Sequence, residues 1–158
     1  MQAGSVRHQR TIQGPASYTG VGLHTGHEVH IRFLPAKEGA GIFFRRVDLP
    51  GEPEIPAAVE YVVDTSRGTT LAVGGAKVHT VEHLLAALRA YEIDNLCIEI
   101  SGIELPAGNG SSDVFVEMIE QAQPVDFAAT IPVVSLRSPV WWSQGDVHIV
   151  ALPSDVYR

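Results

Sequence analysis

The segment Thr80-Val81-Glu82-His83-Leu84-Leu85-Ala86-Ala87-Leu88-Arg89-Ala90-Tyr91 constrains the fold more than any other. Val81, Leu84, Leu85 and Leu88 recur at helical spacing and form one apolar stripe, and Thr80 stands where a hydroxyl can cap the first free amides. At about 100° per residue, Glu82, His83, Ala86, Ala87 and Ala90 fall away from that stripe. Three alanines where solvent favours Lys or Glu predict a second packed face. Such a helix is expected to pack on both of these faces.

The flanking pattern supplies the sheet. Val29, Ile31 and Phe33 alternate with Glu28, His30 and Arg32, the period of a half-buried strand stopped by Pro35. Ile42–Val47 and Ala57–Val63 read as further strands, separated by a Pro- and Gly-rich stretch from Leu49 to Pro56 that is expected to break any ladder. Thr69–Val73 and Ala76–His79 flank Gly74-Gly75, a two-residue hairpin turn leading into the helix. Asn95–Ile100 reads as a buried strand. Gly108-Asn109-Gly110 reads as a turn, and Ser112 as the cap of a second helix burying Phe115, Met118, Ile119 and Ala122. The order is strands, helix, strand, helix.

The pattern restarts after Gln123-Pro124, with strands expected at Ile131–Leu136, Val140–Trp142 and Val147–Leu152. Three short strands cannot enclose a core alone, so 1–127 is expected to be one domain and 128–158 the start of a second, cut short. Trp141-Trp142 puts one indole on each side of a strand, so at least one is expected in a core.

Composition excludes several function classes. The 158 residues are 45% hydrophobic and 18% charged, enough for a sizeable core, and the formal charge of −7 with no Lys or Arg run argues against nucleic acid as a partner. The one cysteine, Cys97, lies in the apolar run Leu96-Cys97-Ile98 and reads as a small buried hydrophobe of a reducing compartment. No stretch is long and apolar enough for a transmembrane segment, and the start lacks a signal-peptide core, so a cytoplasmic location is expected.

His79-Thr80-Val81-Glu82-His83 carries the clearest chemistry. A neutral imidazole is a good zinc ligand, and a neighbouring carboxylate can take a proton from water at a metal. His79 and His83 are four apart, which would give an H-x-x-E-H site if the helix began early, although His79 reads better as the end of the hairpin strand. The structural alternative is that Glu82 merely complements the helix start and His83 is a surface residue. One zinc ion needs about three protein ligands, and this segment supplies one or two.

Thr19-Gly20-Val21-Gly22-Leu23-His24-Thr25-Gly26 has the wrong glycine spacing for a dinucleotide loop and reads as two strands bent by glycines. Its turn can bring His24 to a ligand, with Leu23 and Thr25 beside it as candidate substrate contacts. His24, His27 and His30 could be weighed as a metal cluster, but their odd spacing does not share a strand face.

These stretches, with Gln9-Arg10-Thr11-Ile12, Ile93-Asp94-Asn95, Glu104-Leu105-Pro106 and Gly110-Ser111, resemble in matching order the zinc-dependent UDP-3-O-acyl-N-acetylglucosamine deacetylases of lipid A synthesis. The resemblance covers nearly the whole chain but only the first half of the family's enzyme. It implies an α+β fold of two similar domains, each a sheet with two helices in two layers, with the helices packed as middle layers around the active site. It implies Glu82 as the general base acting on zinc-bound water and His83 as a zinc ligand, with a lipid-bearing UDP sugar as substrate. The remaining zinc ligands and the protonating histidine belong to the second half in that family. His148, the one histidine after His83, takes none of those roles. Ala107-Gly108-Asn109 departs from the family's bulkier residue and Asp. Alone, this chain is therefore expected to bind zinc weakly and not to deacetylate. Two alternatives stand beside this reading: a non-catalytic domain binding a partner through Ala86, Ala87 and Ala90, and a peptidase-like zinc site of His79, Glu82 and His83.

Overall fold

A computed structural model describes residues 6–133 and 135–154. The chain divides into two compact units, one spanning His8–Ala129 and the other formed by residues up to Arg7 and from Thr130 onward.

In the larger unit, β2 (Ala16–Val21), β3 (Glu28–Pro35), β4 (Ile42–Arg46), β5 (Glu54–Pro56) and β9 (Leu96–Ile100) form a five-stranded sheet in the order β2-β3-β9-β4-β5. Its neighbours are antiparallel except β4 and β9, which run parallel. A second sheet, β6-β7-β8, comprises Val62–Asp64, Thr70–Val73 and Ala76–Val78. Two helices, α1 (Glu82–Ala90) and α2 (Asp113–Ala122), share one core with the strands. Alternation sets the layers: Ile31, Phe33, Phe44, Ile98 and Ile100 point inward and are fully buried. On the outer face Arg32, Glu99, Arg45 and Glu54 stand in one row across four strands, joined by ion pairs of 3.8, 3.5 and 2.8 Å.

The expected α+β class is the one observed, and β3, the Gly74-Gly75 hairpin and both helices form where the pattern places them. Phe115, Met118, Ile119 and Ala122 are buried as expected. The Pro-rich stretch is the main local correction. Glu54–Pro56 keeps a ladder with β4, and Ala57–Val63 is a 3-10 turn at Val59–Tyr61 followed by β6, not one strand. Proline is tolerated there because β5 is an edge strand, and pairing it buries Ile55 completely.

Thr80 is not a helix cap. It has φ +60°, which is unusual for a β-branched residue, and α1 starts only at Glu82 with no side-chain cap. Ser112 occupies the cap position of α2, but its hydroxyl donates to the His83 carbonyl at 3.0 Å instead of capping an amide. The three alanines also divide. Ala87 is buried beside Leu84 and Leu88, widening the stripe, whereas Ala86 and Ala90 are exposed. A docking face made of all three therefore does not exist.

The N-terminal residues Val6–Ile12, left without a strand by the sequence pattern, form β1, paired with β10 (Pro124–Pro132). β10 thus begins well before the expected Ile131, and residue 134 of that expected strand lies outside the described residues. Burying Ile12 and satisfying Arg10, which reaches Asp126 at 2.7 Å, favours this pairing.

In the smaller unit, β11 (Val140–Gln144) and β12 (Val147–Ala151) form a hairpin turning at Gly145-Asp146. Trp141 and Trp142 are 73% and 51% exposed, contrary to the expectation that one is core, and every residue of the two strands is exposed among the described residues. Residues 1–5 and 155–158, the two ends of the expected domains, lie outside the described residues. Among the described residues, no helix is long and apolar enough to cross a membrane.

Candidate functional site

The hairpin β7-β8 delivers the chain to α1 through an abrupt change of direction. After β8, the amide of His79 donates to the Ile103 carbonyl at 2.8 Å, and the amide of Thr80 donates to the Thr69 carbonyl at 3.0 Å. After the left-handed turn at Thr80, Glu82 and His83 line one cleft, whereas His79 lines the adjoining one. His79 accordingly bonds the Thr70 hydroxyl through Nδ1 at 2.7 Å. An H-x-x-E-H helical face does not form. Burial, partly offset by Glu104, pulls the His79 imidazole below its ordinary value, so it is neutral near pH 7.

Glu82 and His83 line one cleft of about 530 Å³, facing Leu23 and His24, with Arg67, Gly68, Thr80 and the Pro106–Gly110 turn completing the wall. His83 is exposed rather than embedded among the leucines. Glu82 is half-buried, and its Oε1 accepts the Thr69 amide. Burial pushes the Glu82 carboxyl up, but its own amide, the Thr69 amide and hydroxyl and nearby His83 outweigh this and hold it below the usual range. It is therefore ionised at neutral pH and can accept a proton.

The facing wall is the loop from Gly22 to His27, closed by hydrogen bonds between its ends at 3.0 Å. Gly22 is required by close approach, since a Cβ there would meet Glu104 Oε2 and Thr25 Oγ1 at 2.5 Å. The His24 ring donates from Nε2 to the Arg67 carbonyl at 3.1 Å, strapping this loop to the one before β7. Thr25 lines an adjoining cleft of about 230 Å³ that shares His24, Arg67, Gly68 and Thr80 with the first. Asn109, in the expected turn, binds the Ser111 amide at 3.0 Å through its own side chain.

The five residues singled out from the sequence, Leu23, His24, Thr25, Glu82 and His83, thus come together from segments far apart in the chain. His30 does not join His24, because its ring turns to Thr19 at 2.9 Å. Among the described residues, no three His, Cys, Asp or Glu side chains could hold a metal ion together. Two features escaped the sequence reading. One is the role of Glu104, a carboxylate 2% exposed that stands as a lone charge between Ile103 and Leu105. The other is the Thr80 turn, which has no signal in a β-branched residue.

The family model described as UDP-3-O-acyl N-acetylglycosamine deacetylase (LpxC) matches residues 9–158. Similar proteins include the bifunctional enzyme LpxC/FabZ of Chlorobaculum tepidum, 46% identical over 96% of this chain and 33% of that protein. The UDP-3-O-acyl-N-acetylglucosamine deacetylase of Chlamydia pneumoniae is 43% identical over 94% of this chain and 53% of its own length. That of Trichormus variabilis is 44% identical over 95% and 54%. The chain spans about half the length of the deacetylases it matches, or a third of the bifunctional protein. With a match that runs from Gln9 through the cleft residues to the last position, the chain belongs to the UDP-3-O-acyl N-acetylglycosamine deacetylase family.

Proposed function

We propose that this chain supplies one wall of the active site of a cytoplasmic, zinc-dependent deacetylase that removes the N-acetyl group of UDP-3-O-acyl-N-acetylglucosamine in lipid A synthesis. In this reading 1–127 is the first domain and 128–158 opens the second. The observation that carries it is the ionised Glu82 beside the exposed His83 in a cleft faced by Leu23 and His24.

The donor chemistry is right for zinc, and the donor count is not. An exposed imidazole suits the ion, but about three protein ligands are needed and the described residues bring no such set together. His83 would therefore be one ligand, and the others would come from outside the described residues. When bound, zinc would supply charge to polarise the acetyl carbonyl. Glu82, oriented by the Thr69 amide, takes a proton from the attacking water. The water oxygen bonds to the acetyl carbon, the C–N bond breaks with its electron pair staying on nitrogen, and a proton equivalent to the one Glu82 took is delivered to that nitrogen, giving acetate and the free amine. A carboxylate has about four acceptor positions, so capacity for that water remains beside the amide donors. Leu23, His24 and Thr25 contact the substrate away from the reacting atoms. Exposed Ala86 and Ala90, on the same side of α1 as Glu82, suit covering by the rest of the protein.

The test is acetate release from the acylated UDP sugar by the whole protein in its natural reading frame. Glu82→Ala is expected to lower the rate by about 10² or more. Activity untouched by this change would remove Glu82 as the base, and a wild-type protein that releases no acetate would overturn the function.

A further inference from the structure

Glu104 occupies the junction between the two walls of the cleft. Its Oε1 and Oε2 accept the His24 amide at 3.0 and 3.2 Å, Oε2 accepts the Thr25 amide at 2.8 Å, and Oε1 accepts the Thr80 hydroxyl at 3.0 Å. No lysine or arginine pairs with this carboxylate among the described residues, so these donors, with the Thr25 hydroxyl, compensate its burial. Burial raises its pKa, but the donors more than offset this and keep it ionised. The backbone reinforces the position, because Glu104 forms a parallel bridge with His79 and the Leu105 amide donates to the His79 carbonyl. One side chain thus touches both the loop that carries Leu23, His24 and Thr25 and the turn that aims Glu82 and His83. The close fit at Gly22, where no Cβ could stand beside Oε2, indicates that the loop is shaped around this carboxylate.

We propose that Glu104 is a positioning residue that fixes the spacing between the substrate-contacting loop at Leu23–Thr25 and the Glu82–His83 entrance of α1. The kinetic part of this inference rests on the deacetylase reading. The mechanical part does not. If the loop contacts substrate away from the reacting atoms, loosening it removes binding common to ground and transition states. KM then rises while kcat holds.

Two measurements on the whole protein decide the matter. Hydrogen exchange of Glu104→Gln is expected to show the His24 and Thr25 amides exchanging about tenfold faster, since a neutral amide accepts these bonds less strongly. Kinetics of the same variant are expected to show KM raised about tenfold with kcat within about threefold. Thr80→Val, which cuts the tie from the other end, is expected to raise KM in the same direction. Ile55→Val, a mild core deletion in β5, serves as the control for general destabilisation and leaves KM unchanged. Unaltered exchange at His24 and Thr25 in Glu104→Gln would overturn the proposal, as would an equal KM rise in Ile55→Val. If the wild-type protein releases no acetate, the functional reading fails, and the exchange data still decide the role of Glu104.

Discussion

The left-handed turn at Thr80 sets two energies against each other in one residue, and substitution can separate them. A β-branched residue at φ +60° carries about 1–2 kcal/mol of strain relative to glycine. Its hydroxyl, donating to the buried Glu104 carboxylate at 3.0 Å, contributes about 1.5–3 kcal/mol as a bond to a charged group. Thr80→Val keeps the strain and deletes the bond, so it is expected to cost about 2 kcal/mol. Thr80→Gly deletes both, and relief of strain leaves a loss of about 1 kcal/mol. Thr80→Ser keeps the hydroxyl, eases the crowding and is expected to equal or slightly exceed the wild type. For a chain of this size about 1 kcal/mol moves Tm by about 2–4 °C, so thermal unfolding should rank the variants Ser, Gly, Val with gaps of that order. A glycine variant no more stable than the valine variant would refute the strain. A neutral valine variant would refute the contribution of the hydroxyl bond.

Other consequences follow from named contacts. The buried Arg46 guanidinium grips Asp48 at 2.8 and 2.7 Å and holds its carboxyl below the usual range. The folded value thus lies under the unfolded one of about 4. The stabilisation is present above that pH and is lost as pH falls through the folded value. Asp48→Asn should lower stability at pH 7 by about 1–2 kcal/mol and flatten the acid limb of a urea-unfolding series, whereas an unchanged acid limb would exclude this pair as its cause. Glu99 faces both Arg32 and Arg45 on the outer sheet surface, yet Glu99→Ala should cost under about 1 kcal/mol, and less in high salt, because the row is open to solvent. A larger, salt-independent loss would mean that this face is covered. Burial pushes the Cys97 thiol up to about 11, so at pH 8 only about a thousandth is thiolate, and DTNB should react slowly until denaturant is added. Fast labelling of the native chain would contradict the packing of β9.

The elements legible in the sequence are those whose side chains see one environment throughout. β3 alternates because one face meets the core and the other solvent, and α2 shows its stripe for the same reason. The misreadings arise where a partner distant in sequence decides. Glu54–Pro56 is a strand only because β4 offers an edge on which proline costs no hydrogen bond. β1 and β10 depend on each other across most of the chain, and neither alternates clearly enough alone. Ala87 was assigned by angle to the outer face, but a small residue next to Leu84 and Leu88 is drawn into the core when a helix packs closely. Of the candidate site, residue type and the family resemblance single out Glu82 and His83 and the glycine turn singles out His24, whereas their meeting in one cleft is set by the fold. Glu104 could not be assigned a role, because its donors are backbone amides of a loop whose position only the fold determines.

The middle strand of the main sheet is the last of its five to be synthesised. Until Leu96–Ile100 leaves the ribosome, the β2-β3 and β4-β5 hairpins each present an unpaired edge beside Ile31, Phe33 and Phe44, the side chains most prone to stick to other chains. A nascent polypeptide paused before residue 96 therefore holds two ribbons apart until β9 closes the sheet between them.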